Sequence, residues 1–125
     1  MRLDTHLIAE AEARGYIQFN EGQSRISYLC GRKYTDNFND PEEKIRATIY
    51  SWLILERGYA ADRIEVEYIV PRRTPGDKAD IVVFLDNRRT EPYLVVEAKR
   101  SNISDRDWRQ AIEQGFGNAN GLRTT

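Results

Sequence analysis

The sequence predicts an α/β protein in which a mixed, largely antiparallel sheet is flanked by helices, and three observations carry that expectation. A strongly bounded helical segment beginning at Pro41 is followed by three β-prone runs in succession. The second and third of these runs are almost continuously apolar, as central strands covered on both faces are. A second segment with helical periodicity comes after them.

Taken in order, residues 2–14 read as a short helix ending at Gly15, and "YIQFNEGQSRISYLC" holds two β-prone runs joined by a hairpin at Asn20-Glu21-Gly22. "GRKYTDNFNDP" is polar and rich in Asn and Asp, so it reads as a loop. Asp40-Pro41 starts the clearest helix, with Asp as the cap and Pro at the first helical position. That helix sets Ile45, Ile49, Trp52, Leu53 and Glu56 along one face and stops at Gly58. Glu42 leads the face, three residues before Ile45 and seven before Ile49. The strand candidates are "RIEVEYIV" (63–70), which alternates, then "ADIVVFLD" (79–86) and "PYLVVEAKR" (92–100). Asp86-Asn87-Arg88-Arg89-Thr90 is a turn, so the last two should pair as an antiparallel hairpin. Ser104 then caps a helix to near Asn118, with Trp108, Ala111, Ile112 and Phe116 on its inner stripe. The expected organisation is a helix and hairpin extension at 1–40 packed on a core at 41–125.

Composition narrows the function. At 125 residues the chain is one domain's worth, and a net charge of −1 gives no overall drive toward nucleic acid or membrane, so any nucleic-acid affinity must be local. The one cysteine, Cys30, excludes an intrachain disulfide and fits a reducing cytoplasm, and no stretch approaches a membrane span. Cys30 reads as a small core filler, His6 as a surface residue, and Trp52 and Trp108 as core.

The chemistry concentrates at the end of the third run. Alternation along a strand puts Glu97 and Lys99 on one face, roughly 7 Å apart. Asp80 opens the preceding apolar run, so the hairpin brings it to the same edge of the sheet as Glu97 and Lys99. Two carboxylates converging beside apolar strands repel one another and resist desolvation, and a divalent cation compensates both. All-oxygen ligands favour a hard ion such as Mg²⁺, with Mn²⁺ as a substitute. Glu97 and Lys99 alone are an ordinary solvated pair; their combination with Asp80 and Glu42 is what points to a site.

Asp80, sixteen residues, then Glu97-Ala98-Lys99 resembles the PD-(D/E)xK nuclease superfamily. "DPEEKIRATIYSWLILERGY", "IEVEYIV", "KADIVVF" and "PYLVVEAKR" together look like the N-terminal nuclease domain of type I restriction enzyme R (HsdR) subunits. The resemblance implies a restriction-endonuclease-like core acting on double-stranded DNA. Asp80 and Glu97 would bind the metal, and Lys99 would orient or help deprotonate the attacking water. The family's Pro-Glu-Glu-x-x-Arg pattern falls on Pro41 to Arg46; of its two acids Glu42 is chosen as a further ligand on helical phase, with Glu43 the alternative. Gln114 matches a glutamine usual after the catalytic strand, but Asn118 stands where an aromatic is usual. Related domains continue into an ATP-driven translocase, so the chain is expected to be an N-terminal fragment. It has no Gly-rich Walker loop, and ATP would act only through domains absent here. Modification and specificity subunits are the implied partners.

Arg72, Arg73, Lys78 and Arg100 flank the acids and could hold DNA phosphates, although the same loop reads equally as solvated surface. Two other functions stay open: a non-catalytic DNA-binding or assembly module with the same fold, and a repair or recombination nuclease.

Overall fold

Asp4 starts the first helix, α1 (Thr5–Ala13), because its carboxylate accepts from the His6 and Leu7 amides at 3.0 and 3.1 Å. The structure, a computed structural model, describes residues 3–69 and 78–96. Helix α1 ends at Arg14, after which Gly15 takes φ +85°, the left-handed conformation that turns the chain without a Cβ penalty. It buries Ile8 and Ala11.

Strands β1 (Ile17–Phe19), β2 (Arg25–Tyr28) and β3 (Tyr34–Asn37) form an antiparallel sheet in that order. The turn between β1 and β2 falls where Asn20-Glu21-Gly22 predicts it, with Gly22 at φ +85° and the Asn20 side chain accepting from the Arg25 amide at 2.8 Å. Strand β3 corrects the sequence reading, which gives this stretch as a loop. Asn and Asp are poor strand formers, but here they occupy an edge whose only partner is β2 in the described residues. Tyr34 opposite Tyr28 and a 2.8 Å hydroxyl contact between Ser27 and Thr35 supply the cross-strand pairing.

Helix α2 (Pro41–Leu55) is capped by Asp40, which accepts from the Glu42 amide at 2.9 Å, and gives way to Gly58 at φ +76°. It is buried on more than one side, with ten of its residues in the interior. Ile45, Ile49 and Leu53 are buried as expected; Trp52 is only half-buried, stacked by Arg57 at 5.7 Å, and Glu56 is exposed.

A short 3₁₀ turn (Ala61–Arg63) leads into β4 (Ile64–Ile69), β5 (Lys78–Phe84) and β6 (Pro92–Val96), a second antiparallel sheet of order β4-β5-β6. The expected β5–β6 hairpin is present, with Ile81 opposite Val96 and Val83 opposite Leu94. Its turn is tied by Asp86, which accepts from the Thr90 and Glu91 amides at 2.9 and 3.1 Å. The α/β class holds, as two three-stranded sheets with two helices among the described residues. One core joins Ile8, Ile17, Ile26 and Tyr28 to Ile45, Ile49 and Leu53 of α2 and to Ile64, Val66, Ile81, Val83, Leu94 and Val96. Ala79, Val82, Phe84 and Val95 pack on the other face of the second sheet with Tyr68, so β5 is covered on both faces, as its apolar run foretells. The expected helix at 104–118, with Trp108, lies outside the described residues.

Candidate functional site

The first turn of α2 carries Glu42 and Glu43, and their surroundings differ completely. Glu43 is 4% exposed and faces the interior, whereas Glu42 is exposed, which corrects the phase assigned to Glu42 from sequence. Glu43 lies three residues before Arg46, itself 4% exposed, and the two form a forked pair: Arg46 Nε donates to Glu43 Oε2 at 3.0 Å and Nη2 to Oε1 at 2.6 Å. The Tyr28 hydroxyl, from β2, donates to Glu43 Oε2 at 2.5 Å.

Three further carboxylates reach the same guanidinium from three different strands. Nη1 donates to Glu67 Oε1 of β4 at 2.9 Å and to Asp80 Oδ1 of β5 at 3.4 Å; Nη2 donates to Asp36 Oδ2 of β3 at 3.4 Å. A guanidinium has five N–H groups, and these five bonds engage all of them. Beside it lies the Tyr34 ring, 5.3 Å from the guanidinium carbon, with its own hydroxyl donating to Asp36. Burial alone would lower the pKa of Arg46, but the hydrogen bonds and charge of Glu43, with Tyr28 and Glu67, outweigh it and raise it well above its ordinary value. Burial, then the adjoining Glu43, also raises Tyr28 well above the usual phenol range.

Glu67 and Asp80 reach α2 through a local fault in the sheet. The β4–β5 ladder pairs Val66 with Ile81 and Tyr68 with Ala79, so Glu67 and Asp80 stand opposite one another between these pairs. Glu67 has φ +57°, a left-handed conformation that costs a residue with a Cβ of order 1–3 kcal/mol. On its N-terminal side Val66 packs in the core with α2, and on its C-terminal side Tyr68 packs on the opposite face. Across the ladder Ala79 and Val82 join that opposite face, while Asp80 and Ile81 both serve the α2 side. The alternation of both strands slips at this point, and the slip is what turns two acids toward Arg46. Arg32 compensates the distorted backbone by donating from Nη2 to the Val66 and Glu67 carbonyls at 3.0 and 3.2 Å. The Asp80 side chain keeps 32% exposure.

The type I restriction enzyme R protein N terminus family (HSDR_N) matches residues 41–117 by its family model. The chain belongs to this family. Comparison with curated proteins and with solved structures gives no match. The restriction enzyme R match begins at the first residue of α2 and takes in Glu43, Arg46, Glu67 and Asp80; Tyr28, Tyr34 and Asp36 precede it.

Of the residues singled out from sequence in this R-protein domain, the structure describes Asp80 and Glu42, and the backbone of Lys78 at the start of β5. Glu97, Lys99, Gln114, Arg72, Arg73 and Arg100 lie outside the described residues. Among the described residues no three His, Cys, Asp or Glu side chains are placed to hold a metal ion; Glu43, Glu67 and Asp80 are each ion-paired with Arg46. Nor is any described helix long and apolar enough to cross a membrane. Sequence reasoning places Arg46 in the family's Pro-Glu-Glu-x-x-Arg pattern but gives it no role, although Glu43 and Arg46 three apart on a helix are a detectable pairing signal. Glu67 carries no such signal, because in an alternating strand it reads as a solvent-facing acid.

Proposed function

We propose that this domain is a Mg²⁺-dependent DNA endonuclease, the nuclease part of a type I restriction enzyme R subunit. The family match supports the restriction context. The observation that carries the reading furthest is the placement of Asp80: it directly precedes Ile81 on the central strand, and the ladder partner of Ile81 is Val96, which directly precedes Glu97 in the sequence. Asp80 and Glu97 would hold Mg²⁺ or Mn²⁺, which polarises the phosphate and activates a water. Lys99 is the fixed positive charge where negative charge develops on the phosphate. Glu43, not Glu42, is the inward acid of the helix, held by Arg46 and Tyr28 as a support of the site. Arg72, Arg73, Lys78 and Arg100 contact DNA phosphates, and modification and specificity subunits deliver the domain to double-stranded DNA in the cytoplasm.

One observation favours a second reading, a DNA-binding or assembly module without catalysis: Asp80 already has a cation, Arg46, at 3.4 Å. Thermal melting with and without Mg²⁺ or Mn²⁺ separates the two. In the nuclease reading either ion raises the melting temperature and Asp80→Ala largely removes the shift; a binding-only module shows little ion-induced shift in either form.

A further inference from the structure

We propose that Arg46 is the positioning residue of the candidate site: its fully engaged guanidinium fixes the Asp80 carboxylate, and Tyr28, Tyr34 and Asp36 of the N-terminal sheet fix Arg46 in turn. The inference rests on the nuclease reading of Asp80 and goes beyond it, because three of the supporting residues precede the segment that the family matches.

The geometry points this way for three reasons. First, the five N–H groups of Arg46 run to carboxylates on α2, β3, β4 and β5, so one planar group sets the mutual distances of four separate elements. A planar fork does this where an ammonium, with three rotatable donors and no fixed plane, does not. Second, the guanidinium is itself held. Glu43 grips its Nε/Nη2 edge while Tyr28 pins Glu43, the Tyr34 ring lies against it, and Tyr34 donates to Asp36. Third, Glu67 and Asp80 are directed toward Arg46 by the shared irregularity of β4 and β5, and Arg32 secures the carbonyls of that irregularity. The strained backbone and the guanidinium hold each other in place.

Four carboxylates around one cation also leave the cluster with an excess of acidic groups, so Arg46 does not cancel the attraction for a divalent ion. Its effect on that ion has a charge part and a geometry part. Arg46→Lys keeps the charge and removes the fork, so a change in ion affinity in this variant reports geometry. Tyr28→Phe also leaves the charge unchanged and removes only the hydroxyl on Glu43.

The test is calorimetric titration of the whole 125-residue chain and of both variants with Mn²⁺ alone, well below their melting temperatures, with circular dichroism and ion-free melting as fold controls. The expected result is Mn²⁺ binding by the parent, a dissociation constant raised about tenfold or more by Arg46→Lys, and a smaller rise in the same direction for Tyr28→Phe. A purely structural role lowers the ion-free melting temperature and leaves the affinity of the folded variants at the parental value; that result overturns the proposal. If Arg46→Lys does not fold, Tyr28→Phe decides, and parental affinity there overturns it equally. No Mn²⁺ binding by the parent would instead remove the nuclease reading, and this inference with it.

Discussion

Glu43 is 4% exposed and bonded to Arg46 and Tyr28, while Glu42, one position earlier on the same helix, is exposed. Removing Glu43 takes the closest of four carboxylates from the buried Arg46 and leaves two of its N–H groups and the Tyr28 hydroxyl without an acceptor. In urea denaturation at neutral pH, Glu43→Ala is therefore expected to cost about 3–5 kcal/mol. Glu42→Ala, which leaves the Asp40 cap in place, is expected to stay within about 0.5 kcal/mol of the parent. Equal losses would restore the phase read from the sequence. That reading failed because it assumed a single apolar stripe. The N-terminal sheet and α1 contribute to the same core as the second sheet, so α2 buries ten residues and has no unique inward direction for a terminal acid to share.

At the scale of elements, the β5–β6 hairpin is the part of the fold most directly legible in sequence. Its apolar runs, its turn and its antiparallel pairing all follow from composition and spacing. The turn also carries a measurable pH dependence. Hydrogen bonds from the Thr90 hydroxyl and the Glu91 amide hold the Asp86 carboxyl down from its ordinary 3.8 to about 2. A carboxyl depressed in the folded state binds protons more readily in the unfolded chain, so its contribution is complete above 3.8 and fades as the pH falls toward about 2. Melting temperatures measured across that window should fall less steeply for Asp86→Asn than for the parent; parallel curves would show that the turn carries no such linkage. Strand β3 lay beyond sequence reasoning for the opposite reason. Its Thr35, Asp36 and Asn37 gain strand structure only by pairing with β2, and nothing local in an Asn- and Asp-rich stretch announces a distant partner. The slip of alternation at Glu67 was equally hidden, since it exists only between two strands.

Across the whole molecule, the N-terminal sheet and α1 share the core of the family-matched segment. Ile8, Ala11, Ile17, Ile26 and Tyr28 pack with Ile45, Ile49 and Leu53, and Asp4 is hydrogen-bonded through its amide to Thr48 Oγ1 at 3.1 Å. A chain begun at Asp40 would expose that apolar surface, and it is expected to lose a cooperative thermal transition and bind a hydrophobic dye, the signature of lost specific packing. A sharp melt from such a chain would show that the first 39 residues are dispensable for folding. The fully engaged guanidinium has one more consequence, for the nucleic acid. An arginine beside Asp80, the proposed metal ligand, is an obvious candidate to clamp the DNA backbone. Arg46 has no N–H to lend to a nonbridging phosphate oxygen without surrendering a carboxylate. In the proposed nuclease the strand would be gripped by other basic side chains, and Arg46 would act on the site through its hold on Asp80.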